Sequence, residues 1–458
     1  MVVRANGGVS NGNAGWAQKK SELYAPPPQD ATGSWLEHLC AHEFRHVVQY
    51  DKVNHGFTKL LYYLFGEQAT MAVVGLYLPM WLIEGDAVAF ETAVNPGQRG
   101  RSPEFLNELK AQAVEKGVYS YYKAALGSYK DFVPDHYALG YYLVGNSRAR
   151  YGAEIWSDAF GRVGRRSYGI TPLNRSLRLT MREKRDSLWQ TRRFRSLFVN
   201  PDSVKRANEG GGAKVTLYRD NLAELRQLWR READSVPHLF DTVRVAANQA
   251  YANYHYPTPA GGGVIAYKEG MDETGAFVLV KDGREKVIFR PGLMYDHKFA
   301  YCDSVLLWSE YRYHPRWEHG GRMTLASYDM RTGKYRRHAK GTFSSEANRY
   351  APFATGRGWG FVEADREGRH TLCGTDSLHS SRFAAEGREQ ILHPAWDGQG
   401  GVVAAVVSPE GNRLERFDTR TGKRTLLTSL SSEEIDEPLP ANGEIVYRSS
   451  ASGNNALH

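Results

Sequence analysis

Short runs rich in β-branched and aromatic residues recur through the second half of the chain at a nearly constant interval. They read GVIAYKE from 263, SVLLWSE from 304, WGFVEAD from 359, GVVAAVVS from 401 and EIVYRSS from 444, so successive starts lie 41, 55, 42 and 43 residues apart. Each run suits one strand. A period of ~40–50 residues leaves room for more short strands in every unit, and that combination is the sequence mark of a β-propeller. A second phrase keeps the same interval: YDMRTGKYRRH from Tyr328 and FDTRTGKRTLL from Phe417 lie 89 residues apart, close to two units. Four repeats and the start of a fifth are legible. A propeller must close to remove its sheet edges, so the expectation is an incomplete propeller whose remaining blades lie beyond residue 458.

The first half has a helical texture. Ser34 and Glu37 stand in capping-box spacing, where the hydroxyl caps the third amide and the carboxylate reaches back. Leu36, Cys40, Phe44 and Val47 then follow at helical intervals and predict one buried stripe. A second helix starts near Pro79, runs through MWLIEGDAVAFETAV and is broken by NPGQRGRSP; further helical patterns cover 103–117, 135–151 and 153–163. Two charged amphipathic stretches, NRSLRLTMREKRDSLWQTRRF and YRDNLAELRQLWRREAD, flank NPDSVKRANEGGGAK, which reads as flexible. The division is therefore an α-rich domain over 1–200, a helical linker over 201–250 and strand repeats over 251–458. The fold class expected is multidomain α plus all-β.

Composition excludes several classes. The net charge is +8, but the basic residues alternate with acids, which describes a solvated surface, and no nucleic-acid partner is expected. Cys40, Cys302 and Cys373 show no CxxC spacing, so neither a disulfide framework nor a thiolate metal site is expected; a Cys302–Cys373 bridge is the one open pairing. The first residues, MVVRANGGVSNGNAGWAQ, contain no apolar core of signal-peptide length. The longest uncharged apolar run, QATMAVVGLYLPMWLI at 68–83, is shorter than a bilayer span, contains Pro79 and meets Glu84. It reads as a buried helical hairpin, with no transmembrane segment.

The chemistry sits in CAHEFRHVVQ. His42 and His46 are four apart, so a helix presents both imidazoles on one face, with Glu43 beside them. Zn²⁺ suits such donors, and a neighbouring carboxylate is placed to take a proton from water that the cation acidifies. A third donor is needed. Glu84 in PMWLIEGDA is the first candidate, because a carboxylate on an otherwise apolar helix needs a partner when buried; His38, one turn before His42, and His55, in a loop, compete with it.

HEFRHVVQ followed by LPMWLIEGDAVAFET resembles the gluzincin metallopeptidases, closest to the peptidase MA-like group, over residues 1 to about 160. The resemblance implies His42, His46 and Glu84 as zinc ligands and Glu43 as the base in peptide-bond hydrolysis. It also implies an oxyanion donor on a Tyr-rich helix after Glu84, with Tyr137 first, His136 second and Tyr141 third. Three features depart from the pattern: a long apolar insert, FTKLLYYLFGEQATMAVVGLYL, read as a hairpin capping the site; Val88 where an orienting acid is usual; and a short N-terminal segment. Asp86, Glu91 or Asn54 must then orient the ligands. NAGWAQKKSEL reads as the remaining edge strand of a truncated sheet, and Arg99 and Arg101 as loop residues within reach of a substrate carboxylate. SPEGN at 408–412 with DTRTGK at 418–423 resembles TolB-like propeller blades, which implies recruitment of substrate or a protein partner and an exported protein, periplasmic, outer-membrane-associated or secreted. The competing reading is a non-catalytic propeller-based surface or periplasmic binding protein with a structurally retained zincin domain.

Overall fold

The computed structural model describes residues 2–4, 10–25, 35–95, 97–190, 212–235, 250–317, 320–338, 347–356, 358–375, 380–451 and 456–458. Ser34, and with it the capping box, lies outside these residues, as does most of the segment read as flexible. A helical unit precedes a series of propeller-like β-sheets, so the architecture is α plus all-β.

Three short strands come first: β1 (Val2–Arg4), β2 (Gly12–Gly15) and β3 (Lys20–Tyr24), in the order β1-β3-β2. The stretch read as one edge strand is thus two strands joined by a turn, with β2 at the edge. The helices follow: α1 (Trp35–Val53), α2 (Phe57–Phe65), α3 (Glu67–Tyr77), α4 (Met80–Val94), α5 (Pro103–Glu115), α6 (Tyr121–Leu126), α7 (His136–Tyr151), α8 (Ile155–Arg165), α9 (Pro172–Gln190) and α10 (Gly212–Ser235). Their common core is built on Trp81, Leu139, Leu143, Ile155, Trp156, Phe160 and Leu177, and α10 adds Leu217, Leu222 and Trp229 to it. The helix in the segment expected as a linker is therefore packed as part of the helical unit.

At the centre α4 crosses α7. A β-carbon on Gly85 would collide with the backbone of Gly140, and one on Gly140 with the carbonyl of Trp81. Two glycines let the helix axes approach closely enough to bring the N-terminal turn of α7 beside Glu84.

One expectation is corrected. The predicted stripe of α1 faces outward: Leu36, Phe44 and Val47 are 37%, 60% and 36% exposed, while His42, Glu43, His46, Gln49 and Tyr50 are buried. Acids on α4 pair with the polar face of α1, and those bonds, rather than apolar periodicity, choose which side turns in. The run at 68–83 forms α3 and the start of α4, bent by 100° at Leu78–Pro79, with Val73, Val74, Leu78, Trp81, Leu82 and Ile83 buried; the apolar insert forms a helical hairpin, α2–α3, from which Leu60, Tyr63, Leu64, Phe65 and Leu76 project into solvent. Among the described residues no single helix is long and apolar enough to cross a membrane, and all three cysteines are free.

Five sheets follow, each a simple antiparallel meander. They comprise β4 (Ala252–Ala260), β5 (Gly263–Gly270), β6 (Ala276–Lys281) and β7 (Arg284–Phe289); β8 (Phe299–Cys302), β9 (Val305–Arg312), β10 (Arg322–Asp329) and β11 (Lys334–Arg337); and β12 (Asn348–Ala354), β13 (Trp359–Ala364), β14 (His370–Thr375) and β15 (Ser380–Ala384). The fourth holds β16 (Gln390–Trp396), β17 (Gly401–Ser408), β18 (Gly411–Asp418) and β19 (Arg424–Leu426), and the fifth β20 (Ile435–Ala441), β21 (Glu444–Ser449) and β22 (Ala456–Leu457). Every run that set the period is the second strand of its sheet.

The first strand of four sheets carries a β-bulge with a left-handed residue before proline, at Tyr256, Ala351, His393 and Glu437; His297 takes the same conformation just before β8. Proline lacks an N–H and so leaves no orphan donor where the ladder breaks. The repeated D-x-RTGK phrase is a repeated turn: Asp329 accepts from the amides of Arg331 and Thr332, and Asp418 from those of Arg420 and Thr421.

The bulges converge. The Tyr256 hydroxyl donates to Glu437 Oε1 at 3.0 Å, Lys298 Nζ lies 3.2 Å from Glu437 Oε2, and His393 Nδ1 lies 2.8 Å from Oε1. These bonds tie the first, second, fourth and fifth sheets about one centre, a five-bladed propeller arrangement. Between the two units the Phe132 ring stacks on Tyr251 with centroids 3.8 Å apart, Arg388 donates to Glu37 at 2.8 Å, and Arg448 pairs with Glu104.

Candidate metal centre

The helical repeat puts His42 and His46 one above the other on the buried face of α1, and α4 carries Glu84 against them. His42 Nε2 and His46 Nε2 lie 3.2 Å apart, and Glu84 Oε2 lies 3.2 Å from the first and 3.4 Å from the second. Four bonds of about 2.1 Å in a tetrahedron put neighbouring donors about 3.4 Å apart, so the triangle has the dimensions of a zinc coordination face.

Hydrogen bonds behind the triangle set where the protons are. Gln49 Nε2 donates to the Ile83 carbonyl at 2.9 Å and to Asp86 Oδ2 at 2.8 Å, which leaves its Oε1 as an acceptor 2.9 Å from His46 Nδ1. His46 therefore carries its proton on Nδ1. His42 Nδ1 lies 2.7 Å from Glu91 Oε2, and that carboxylate also accepts from Arg99 Nε at 2.7 Å and faces His38 Nε2 at 2.9 Å. The shorter contact with the Glu91 carboxylate assigns a proton to His42 Nδ1, and Arg99 Nη2 stands 3.1 Å from the same nitrogen. Both Nε2 atoms and Glu84 Oε2 then meet in a buried space, where the neutral rings would offer a cation three lone pairs.

Burial opposes the charge on Glu84 and Glu91, yet the imidazoles bonded to each hold both carboxyls well below the usual range, with Arg99 adding to the effect on Glu91. Glu43 differs. Burial pushes its carboxyl up, against the weaker pull of the two imidazoles. Strand β2 passes over it so closely that a β-carbon on Gly12 would lie 2.6 Å from Glu43 Oε1 and 2.5 Å from Leu39 Cδ1, so a larger residue there would displace the carboxylate.

The α7 candidates separate. Tyr137 stands at the site, its ring 6.2 Å from that of His42 and beneath the Arg99 guanidinium at 5.0 Å; burial, then the charge of Glu84, pushes its phenol well above its ordinary value. His136 is half-exposed and stacks beside Tyr137 at 4.6 Å. Tyr141 packs against Gly100 and the helical core instead. Of the residues considered for orientation, Glu91 bonds a ligand, Asp86 binds Arg45, Arg148 and Gln49, and no contact of Asn54 with the triangle is seen among the described residues. His38 backs Glu91, and His55 is exposed. Arg99 is bound to Glu91 and Arg101 donates to the Thr92 carbonyl. Sequence reasoning missed Gln49 and the role of Arg99. The spacing held a signal for the first, since Gln49 is three residues after His46 and so shares its face.

No family model matches the chain, and no curated protein is similar to it. Among solved structures it is similar to TolB from Acinetobacter baumannii, with 13% identity and a TM-score of 0.31 over 46% of this chain and 55% of that one. It is also similar to a structure from a structural and mechanistic study of two prolyl endopeptidases, with 10% identity and a TM-score of 0.30 over 44% of this chain and 33% of the other. The chain thus spans about half the length of the first structure and a third of the second.

Proposed function

We propose that the helical unit is a gluzincin-like zinc metallopeptidase, with His42, His46 and Glu84 as ligands, and that the propeller recruits substrate or a protein partner. The convergence of two imidazole Nε2 atoms and one carboxylate oxygen at the spacing of a zinc coordination face, with each ring anchored through its Nδ1, supports this reading. Zn²⁺ bound there supplies Lewis acidity and lowers the pKa of coordinated water toward ~7.

The chain's own groups do the rest. Glu43, with its basicity raised by burial, takes a proton from the attacking water and returns it to the leaving amine. Tyr137, whose phenol stays protonated, donates a hydrogen bond to the oxyanion that develops on the carbonyl. Among the described residues β2 is an edge strand, and its outer backbone groups beside Glu43 are suited to hold an extended peptide. Export, implied by the sequence resemblance, belongs to the same proposal.

The test combines zinc content with hydrolysis of a peptide library by the full chain. Wild type and Glu43→Gln should hold equal zinc, His42→Ala/His46→Ala one equivalent less, and only wild type should hydrolyse. Hydrolysis retained by Glu43→Gln, or zinc unchanged in the double variant, would overturn the reading. Zinc retained with wild type inactive would leave the alternative, a propeller-based binding protein with a structural zincin domain.

A further inference from the structure

A second group of metal-type donors lies in the propeller, where the sequence showed no motif. Asn253 pairs with Glu269 and His255 with Tyr267 across β4 and β5, so His255 and Glu269 project from one face on adjacent rungs. His297 comes from the connection between the first and second sheets. Its backbone has the left-handed conformation found at the corresponding position of the other blades, so the repeat sets the conformation and only the side chain is particular to this blade. The His297 ring stacks on buried Tyr267 at 5.1 Å and stands 4.6 Å from the His255 ring.

Both imidazoles aim at one oxygen. His255 Nε2 lies 3.6 Å and His297 Nε2 3.7 Å from Glu269 Oε2. Neither distance makes a hydrogen bond, and His255 Nε2, though shielded from solvent, has no hydrogen-bond partner among the described residues. Ligand atoms of all three residues fall within 4.8 Å of one another. The two N···O separations are a few tenths of an ångström wider than the ~3.4 Å edge of a tetrahedron with ~2.1 Å bonds, and a small rotation of a half-exposed glutamate closes that gap.

Charge state agrees with geometry. Burial lowers the pKa of both imidazoles, and the neighbouring His297 adds to the effect on His255. Neutral rings make a weak ion pair but good ligands.

We infer that His255, Glu269 and His297 form a second divalent-cation site, of the two-histidine, one-carboxylate class that takes Zn²⁺, Co²⁺ or Ni²⁺. It sits on the side of the propeller that meets the helical unit. Tyr251, at the start of this blade, stacks on Phe132, and burial raises the carboxyl pKa of Glu108 on α5, with the charge of Glu269 adding a smaller push in the same sense. A cation on Glu269 offsets that repulsion and strengthens the seam between the two units.

The site is tested in the full-length His42→Ala/His46→Ala variant, so the outcome does not depend on the proposed peptidase centre. After chelator treatment and desalting, titration with Co²⁺ should show one equivalent bound, with visible d–d absorption. Adding His255→Ala/His297→Ala should abolish the bands, and Glu269→Gln alone should weaken binding at least about tenfold, since one of three protein ligands is lost. Thermal unfolding of each variant reports whether the propeller is intact, and Glu269→Gln, at a half-exposed position, serves if the histidine variants unfold. No Co²⁺ bound by the His42→Ala/His46→Ala variant, or binding that survives either propeller change undiminished, overturns the proposal.

Discussion

Glu91 Oε2 lies 2.7 Å from His42 Nδ1, seven residues along α4 from the carboxylate that meets the other nitrogen of the same ring. Two turns of one helix therefore grip both edges of one imidazole. Val88 stands where the sequence reading expected an orienting acid, and the acid that bonds the ring is Glu91, one turn further on.

Removing this grip should weaken the metal centre without removing a ligand. Glu91→Ala is expected to lower zinc affinity by roughly 10–100-fold, read by competition with a chromophoric chelator. The variant also leaves Arg99 without its carboxylate partner, so Glu91→Gln, which keeps an acceptor for the guanidinium, should lose less.

Tyr137→Phe separates chemistry from binding. A hydrogen bond made only to the developing oxyanion affects turnover, so kcat should fall by about 100-fold while KM stays near its wild-type value. Zinc content should not change. A matched rise in KM with kcat unaltered would instead assign Tyr137 to substrate binding.

The crossing of α4 and α7 has no room for a methyl group. Gly140→Ala should destabilise the helical unit by ~3 kcal/mol, at the upper end of overpacking costs, because the neighbours are backbone atoms that cannot rotate away. Denaturant unfolding of metal-free protein measures the loss. Gly145→Ala, on the same helix but with open space around the added carbon, is the control and should be neutral or mildly stabilising.

His370 makes the propeller sensitive to acid. It is buried, its Nδ1 is 3.0 Å from the Ile391 carbonyl, its Nε2 has no partner among the described residues, and burial lowers its pKa to about 4. Above pH ~6.5 neither the folded nor the unfolded chain holds the extra proton. Below that, the unfolded chain binds one and the folded chain does not until the pH reaches about 4. Stability therefore falls with pH through this window, by roughly 3 kcal/mol, and levels off beneath it. Denaturation midpoints of wild type and His370→Gln between pH 7 and 4 should diverge in that sense, with wild type losing more.

What could be read from the chain alone was whatever a local period carries. The recurrence of the β-rich runs marks the second strand of every blade, because each blade must bury a similar strand at a similar distance from the centre. The i, i+4 spacing of His42 and His46 aligns their rings on any helix, and a glutamate in an apolar run already asks for a partner. The tertiary structure decided what depends on distant groups. Apolar spacing assigned the wrong face of α1 to the interior, since the acids that draw its polar face inward lie on α4. The tautomers that leave three lone pairs facing one point depend on Gln49, Asp86 and Glu91, which no spacing rule connects to both histidines. The meeting of side chains from four sheets on Glu437, and the gathering of His255, Glu269 and His297 from two strands and a loop, arise only when sheets meet. Periodicity is a property of one element against a generic interior; a site is a property of several elements against each other.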